Sequence, residues 1–328
     1  MSETHAGASP KLEYRRASGA DLAAGRDVVR VSMNWREGEP NDDLFAWKHE
    51  QSPFGPSPSW VALLDGKVVG FRTFMRWRFL DDANRPVTAV RAVDTATLPE
   101  ARGLGAFRGL TTLAVEELTA EGVGLVFNTP NDQSRPGYLT MGWSPVGQLP
   151  LTMRPRSLAS FPSLLKARVP AERWSQPTGV GLDARLALAD DSVARAVLTH
   201  APTTGCRTDR SPAYLAWRFG LEPLHYRLLQ VSEDPAEGAV IFRLRRRGPA
   251  VEAAVAEQLT PNDRVARLLV KRMLRETGAD YAAGLHCGHP EGLVRMPRQG
   301  PLLTSRPLNT QPPELAGWSL TLGDIELF

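Results

Sequence analysis

In SWVALLDGKVVGFRTFMRWRF (59–79) an unbroken apolar run, WVALL, and a run rich in apolar and aromatic residues, VVGFRTFMRWRF, flank the polar Asp65-Gly66-Lys67. Asp-Gly between two such runs marks a hairpin turn. Two antiparallel strands are expected there. RPVTAVRAVDTATL (85–98) is rich in β-branched residues and predicts a third strand. The period then changes. Phe107, Leu110, Leu113, Ala114 and Leu118 recur at helical spacing, and Gly122 closes the helix. GLVFNTP (124–130) reads as a short buried strand, and RPGYLTMGWSPVG (135–147) as a turn and a last strand. Strand, loop, helix, strand is an α/β unit. Its helix starts at the carboxyl end of a strand, where such sheets usually bind ligands.

The texture changes after about residue 148. PRSLASFPSLLKARVPAERWSQPTGVG has four prolines and little period, so 149–182 reads as a connector with one short helix. A second folded region runs from 183 to 328 and resembles the first, either as a repeat of one unit or as chance similarity between two α/β units. LFAWKHEQSPFGPSPSWVALLDGKVVGF (44–71) resembles YLAWRFGLEPLHYRLLQVSEDPAEGAVIF (214–242), which aligns Trp47 with Trp217 and Lys48 with Arg218. AVAEQLTPNDRVARLLVKRMLRETGADYAAGL (254–285) repeats the strand, turn, helix and strand.

The two copies differ at one place. The first opens its helix with Gly103 and Gly105 just after Arg102; the second has LTPNDRV there. Glycine has a conformational cost, roughly 0.5–1 kcal/mol relative to alanine inside an element. A bound anion can offset it, because the first N–H groups of a helix are unpaired and carry partial positive charge. A plain tight turn explains the glycines equally well on spacing alone. The dinucleotide pattern G-x-G-x-x-G fails at Arg108, and no Gly-Lys-Ser/Thr follows. In the second copy Asp263 is expected to serve as the N-cap and to place negative charge where a phosphate would sit. One cofactor site, in the first half, is therefore expected.

Composition narrows the field a little. The 328 residues are comfortable for two cores, and 42 % are hydrophobic. With 39 basic and 36 acidic side chains the net charge is only +3, weak support for a nucleic-acid partner. Two cysteines, Cys206 and Cys287, suit a reducing cytoplasm rather than a disulfide framework. No run of about 18 apolar residues spans a membrane. HCGH (286–289) lacks a second ligand cluster for zinc, and RLRRRG (243–248) reads first as a solvated strand end. No Gly-x-Ser-x-Gly elbow is present.

VDTATLPEARGLGAF and GLVFNTPNDQSRPGYLTMGW together resemble the GNAT superfamily of N-acetyltransferases over about residues 15–148. Arg102-Gly103-Leu104-Gly105-Ala106 matches the family's Arg/Gln-x-x-Gly-x pyrophosphate loop, with Phe107 where Gly or Ala is usual. Asn131, Ser134, Tyr138, Gly142 and Trp143 match its later N-x-x-A-x-x-x-Y-x-x-x-G-F pattern, with Ser for Ala and Trp for Phe. The resemblance, taken with the paired Trp-basic segments, implies an α/β fold of two GNAT-like domains. Each would be a mixed, mostly antiparallel sheet flanked by helices, and the second would lack the loop.

It further implies a cytoplasmic acyltransferase that uses acetyl-CoA as co-substrate and acylates a small-molecule or peptide amine. No membrane is involved, and a homodimer is compatible with this reading. Arg102 to Phe107 would hold the diphosphate, and Val93, Thr95, Ala96 and Thr97 would lie along the pantetheine arm. An N–H of Ala96 or Thr97 would meet the thioester oxygen. Asn128 and Asn131 would contact the cofactor, although TPND is also good turn chemistry. Tyr138 is the expected acid for the leaving sulfur; the other reading is a half-buried tyrosine bonded to backbone. Asp94 is the expected base, with a pKa raised by burial in an apolar strand, or else a partner of Arg91 or Arg72. Two other functions fit the same arrangement: an aminoacyl-tRNA-dependent transferase that uses Arg243–Arg247, and a non-catalytic acyl-CoA sensor.

Overall fold

The computed structural model describes residues 11–160, 169–285, 294–295 and 300–326. Its strands are β1 (Glu13–Arg16), β2 (Ser59–Leu64), β3 (Lys67–Leu80), β4 (Pro86–Thr97), β5 (Leu125–Asn128), β6 (Ser144–Gln148), β7 (Leu151–Pro155) and β8 (Leu182–Asp183). They continue with β9 (Cys206–Thr208), β10 (Arg227–Gln230), β11 (Ala239–Arg247), β12 (Ala250–Leu259), β13 (Tyr281–Leu285), β14 (Val294–Arg295), β15 (Leu302–Pro307) and β16 (Trp318–Ser319). The helices are α1 (Gly19–Ser32), α2 (Asn41–His49), α3 (Ala106–Ala120), α4 (Arg135–Thr140), α5 (Ala184–Ala187), α6 (Asp191–Val197), α7 (Pro212–Arg218), α8 (Asp263–Thr277) and α9 (Leu322–Ile325). The chain is thus an α/β protein with two mixed, mostly antiparallel sheets.

The hairpin forms as its sequence requires. Asp65 and Gly66 both take positive φ, +50° and +76°, which gives the turn a twist that matches its strands. The segment 135–147, expected to begin with a turn, instead begins with helix α4, whose first turn carries Pro136. Odd residues of β3 from Phe71 to Phe79 face one side and Phe74 the other. On the latter side α3 lays Leu110, Ala114 and Leu118 against Trp60, Phe74, Val90 and Val126. α8 covers the second sheet in the same manner, with Leu269, Val270 and Met273 on Val240, Phe242 and Val255.

The two sheets repeat one plan. In each, an antiparallel hairpin leads into a bulged strand, then a helix, then a strand parallel to the bulged one: β3–β4–α3–β5 and β11–β12–α8–β13. The strands that complete each sheet come from elsewhere in the chain. β15 inserts between β5 and β6, antiparallel to both, so the first sheet holds a strand of the last thirty residues. β7, inside the segment read as a connector, pairs with β13 in the second sheet. Neither half of the chain can leave the other without breaking a ladder. Apolar side chains alone do not distinguish a β15 that returns from one that stays, so this exchange is not visible in the pattern.

The largest core lies between the sheets and joins Met75, Trp77 and Phe79 to Tyr214, Trp217 and Phe219. At its middle Trp47 and Trp217 stack, ring centroids 5.0 Å apart and 17° from parallel. Each indole N–H donates to the other residue's carbonyl, at 2.6 Å and 2.8 Å. The repeated aromatic-Ala-Trp-basic segment is therefore where the two copies meet. Truncating a core tryptophan costs about 3–5 kcal/mol. Trp217→Ala is expected to lose that much in urea unfolding, and a loss under about 1 kcal/mol would show that the stack does not join the halves.

Candidate active site

β4 and β5 pair in parallel only from Ala89↔Leu125 to Arg91↔Phe127. Beyond that point they part. The gap is a cavity of about 560 Å³, lined by residues 91–95 and Thr97 of β4, 128–131 after β5, and Phe107, Ser134, Tyr138, Ile325 and Glu326. Facing β3, the register slips: Phe71 opposes Ala96 and Thr73 opposes Val93, so Asp94 and Thr95 share the space opposite Arg72. Asp94 absorbs the slip with φ +40°, a conformation seldom taken by residues other than glycine.

The bulge turns Asp94 into a buried cluster. Its carboxylate, 8 % exposed, pairs with Lys48 and accepts from His49 Nε2 at 2.8 Å. His49 Nδ1 meets Ser57 Oγ at 3.0 Å. Burial alone would raise the Asp94 carboxyl, as the sequence led us to expect. The Lys48 ammonium and the His49 hydrogen bond outweigh it and hold the group well below the usual carboxylate range. The same burial pushes the His49 imidazole down, against the pull of Asp94. Neither Arg91 nor Arg72 pairs with Asp94. The Lys48-His49 pair at the carboxyl end of α2 does so, and its only sequence trace is the alignment of Lys48 with Arg218.

Tyr138 is buried and lines the cavity. Arg72 Nη1 donates to its hydroxyl at 2.8 Å, so its partner is a side chain and not the backbone group of the alternative reading. Phe107 packs edge-on against the Tyr138 ring, centroids 5.3 Å apart, and forms part of the cavity wall.

Gly103 and Gly105 take φ +80° and +85°, and both are exposed. A Cβ on Gly103 would meet nothing within 4 Å, and one on Gly105 only the Tyr14 hydroxyl at 4.0 Å. Backbone conformation, not crowding, calls for glycine at both. Gly105 is the N-cap of α3 and supplies no side chain to its amides. The close-packed glycine is Gly109, whose Cβ would stand 2.2 Å from the Tyr14 ring. In the second copy the N-cap of α8 is Asn262 rather than Asp263, accepting from the Arg264 and Val265 amides; Asp263 adds its charge in the first turn.

The remaining candidates divide. Val93, Thr95, Thr97, Asn128 and Asn131 line the cavity, whereas Ala96 and residues 102–106 do not. Asn128 is buried and accepts from Thr304 of β15 at 2.6 Å. Asn131 accepts from the Ser134 amide and hydroxyl, both at 2.9 Å, and so caps the turn into α4. Cys206 does not line the cavity, and burial pushes its thiol up to about 12. The HCGH segment lies outside the described residues.

Sequence reasoning missed one wall of the cavity. Residues 321–326 return to it under a clamp of arginines. Arg91 donates to the Asp324 and Ile325 carbonyls, Arg218 to those of Gly323 and Glu326, and Arg210 to the Asp324 carboxylate at 2.8 Å. Arg243, with no exposed surface, and Arg245 pair with Glu326. Arg247 and Arg245 also pair with Glu252. The basic run of β11 is thus largely spent on internal carboxylates, not turned to solvent for an RNA backbone. Its strand register decided this, and no local pattern reports register across 80 residues.

Residues 13–146 match the acetyltransferase (GNAT) domain family. No curated protein matches the sequence significantly. Solved structures resemble the whole chain. One from Enterococcus faecalis, described as a "Probable N-Acyltransferase", is 14 % identical, with TM-score 0.67 over 92 % of this chain and 74 % of that one. A GCN5-related N-acetyltransferase from Anabaena variabilis is 14 % identical, with TM-score 0.60 over 91 % and 73 %. Eis1 from Mycobacterium abscessus is 15 % identical, with TM-score 0.55 over 90 % and 73 %. The chain carries a GNAT acetyltransferase domain over residues 13–146, followed by a second sheet domain, and its fold over nearly the whole length is that of these solved structures. Among the described residues no helix is long and apolar enough to cross a membrane.

The clamp carries a pH dependence. Burial raises the Glu326 carboxyl, but Arg243 and then Arg245 outweigh it and hold it at about 2 against an ordinary 4.5. Glu326 therefore stabilises the fold fully above about pH 4.5, and that contribution is lost as pH falls towards 2. Glu326→Gln is expected to flatten the acid limb of stability by on the order of 3 kcal/mol. Parallel limbs in urea titrations of the two proteins would contradict it.

Proposed function

We propose that the protein transfers an acetyl or short acyl group from acetyl-CoA to a primary amine by direct attack. The observation that carries this is the parting of β4 from β5 after Arg91↔Phe127, with Tyr138 in the wall of the gap. A pantetheine arm carries amides suited to the strand edges freed there. Its diphosphate would rest at the start of α3, on amides of residues 103–107 beside Arg102, where the Gly105 N-cap supplies no side chain. The second copy offers no equivalent place, since Asn262 already satisfies two amides of α8 and Asp263 adds a negative charge.

The acceptor would come from the opposite side of β4. A cleft of about 470 Å³ lies between residues 33–36 with Glu39 and the strap 172–174. A space of only about 10 Å³, bounded by Trp35, Lys48, Asp94 and Arg173, shares Met33, Trp35 and Arg173 with the wall of that cleft. Asp94 thus borders both spaces. Held ionised by Lys48 and His49, it is a poor proton sink but a good acceptor for an amine N–H, and its role in this reading is to aim the amine. The amine loses its proton directly or through water. An N–H of Thr97 or its neighbour receives charge on the thioester oxygen, and Tyr138 protonates the departing sulfur.

Calorimetry with acetyl-CoA tests the loop. Wild type is expected to bind at micromolar level, roughly 8 kcal/mol. Gly105→Asp is expected to lose at least tenfold, and Gly105→Asn, which tolerates positive φ without charge, much less. Equal affinity in all three would remove the loop from the reading. Tyr138→Phe is expected to slow turnover with cofactor affinity nearly unchanged; an unaltered rate would remove the acid.

A further inference from the structure

Arg72 has no exposed surface, yet no carboxylate lies within ion-pair distance among the described residues. It reaches only hydroxyls. Nη1 donates to Tyr138 Oη at 2.8 Å and to Thr95 Oγ1 in the bulge. Nε and Nη2 are buried without a partner. The guanidinium lies over the rings of Phe74, Phe107 and Tyr138, 4.4, 5.6 and 5.3 Å from their centroids. An unpaired cation at such a depth is costly, and aromatic faces offset only part of that. It does not line the cavity itself.

We propose that Arg72 is a positioning residue that acts through Tyr138 to direct the phenol proton at the leaving sulfur. The inference rests on the acid role proposed above for Tyr138. The phenol oxygen accepts from Arg72, which leaves its own hydrogen free for an acceptor in the cavity. In the transfer, the amine lone pair forms the C–N bond while the C–S pair goes to sulfur. Sulfur takes the Tyr138 proton. The phenolate left behind keeps the Arg72 hydrogen bond, now charge-assisted, until it is reprotonated by water, and the acylated nitrogen gives one proton to solvent. Thr95 ties the same guanidinium to the bulge, so the strand irregularity that opens the cavity also sets the position of the acid.

Free CoA is a probe that needs no acceptor. Thiolate absorbance of the enzyme–CoA complex, titrated against pH, reads how well the site holds negative sulfur. Tyr138→Phe and Arg72→Gln are each expected to raise the midpoint of the bound thiol by at least one pH unit, a tenfold change. The double variant is expected to add less than twofold to either. A residue that only props the fold would add its effect to that of Tyr138→Phe. Should Arg72→Gln fail to fold by thermal melting, Arg72→Lys is read instead. Its single ammonium lacks the guanidinium fork, and at least a threefold change is expected. A shift in Tyr138→Phe with none in the Arg72 variants, or additive shifts, would overturn the inference and leave the acid role standing. No shift in Tyr138→Phe, or no CoA binding by wild type, would overturn both.

Discussion

Much of the structure depends on how four arginines of the second half, with Arg91 of the first, hold residues 321–326. Charge pairs taken out of water contribute little net stability, because desolvation offsets attraction. Their directionality is what matters here. Each guanidinium has a fixed fork of donors, and together they address backbone carbonyls and carboxylates along one short segment. A segment so held cannot slide. It forms one wall of the cavity, so the width of the cavity is set largely by arginines that, Arg91 apart, do not line it.

The same economy governs β4. One extra residue opposite Arg72 does three things. It ends the regular ladder next to the place where β4 leaves β5. It turns Asp94 towards Lys48 and His49, and Thr95 towards Arg72 and Tyr138. A bulge loses ladder bonds and strains a non-glycine residue, and these two polar clusters on opposite faces offset that cost. The second sheet carries an irregularity between Ile241 and Phe242 of β11 at the matching place. There the returning segment packs against β12, with Gly323 against the Ala256 carbonyl, and helix α8 is already capped. One plan is thus used twice, with the cavity beside the bulged strand of the first copy and the returning segment against that of the second.

Legibility followed distance along the chain. The hairpin, the third strand, helix α3 and the paired Trp-basic segments were plain from period and spacing, because each is decided by neighbours within a few residues. Of the residues given to the cofactor from the resemblance, Val93, Thr95, Thr97, Phe107, Asn128 and Asn131 line the cavity together with Tyr138, whereas Ala96 and residues 102–106 do not. Asp94 was picked out as an oddity in an apolar strand, but the direction of its pKa was misjudged. Desolvation can be guessed from the strand, whereas the cation and imidazole that reverse it arrive from α2, 45 residues away. The basic run on β11 misled for the same reason, since its carboxylate partners lie up to 83 residues on.

By itself the sequence determined the local conformations: apolar and β-branched runs made the strands, an Asp-Gly turn joined two of them, and helical spacing made α3. Only the tertiary structure decided that β7 and β15 change places between sheets, that Trp47 meets Trp217, and that buried charges find partners across the molecule. Local conformation is set by sterics and hydrogen bonds between near neighbours, which a short window contains. Strand exchange and ion pairing are set by which distant surfaces exclude water together, and that is a property of the assembled chain.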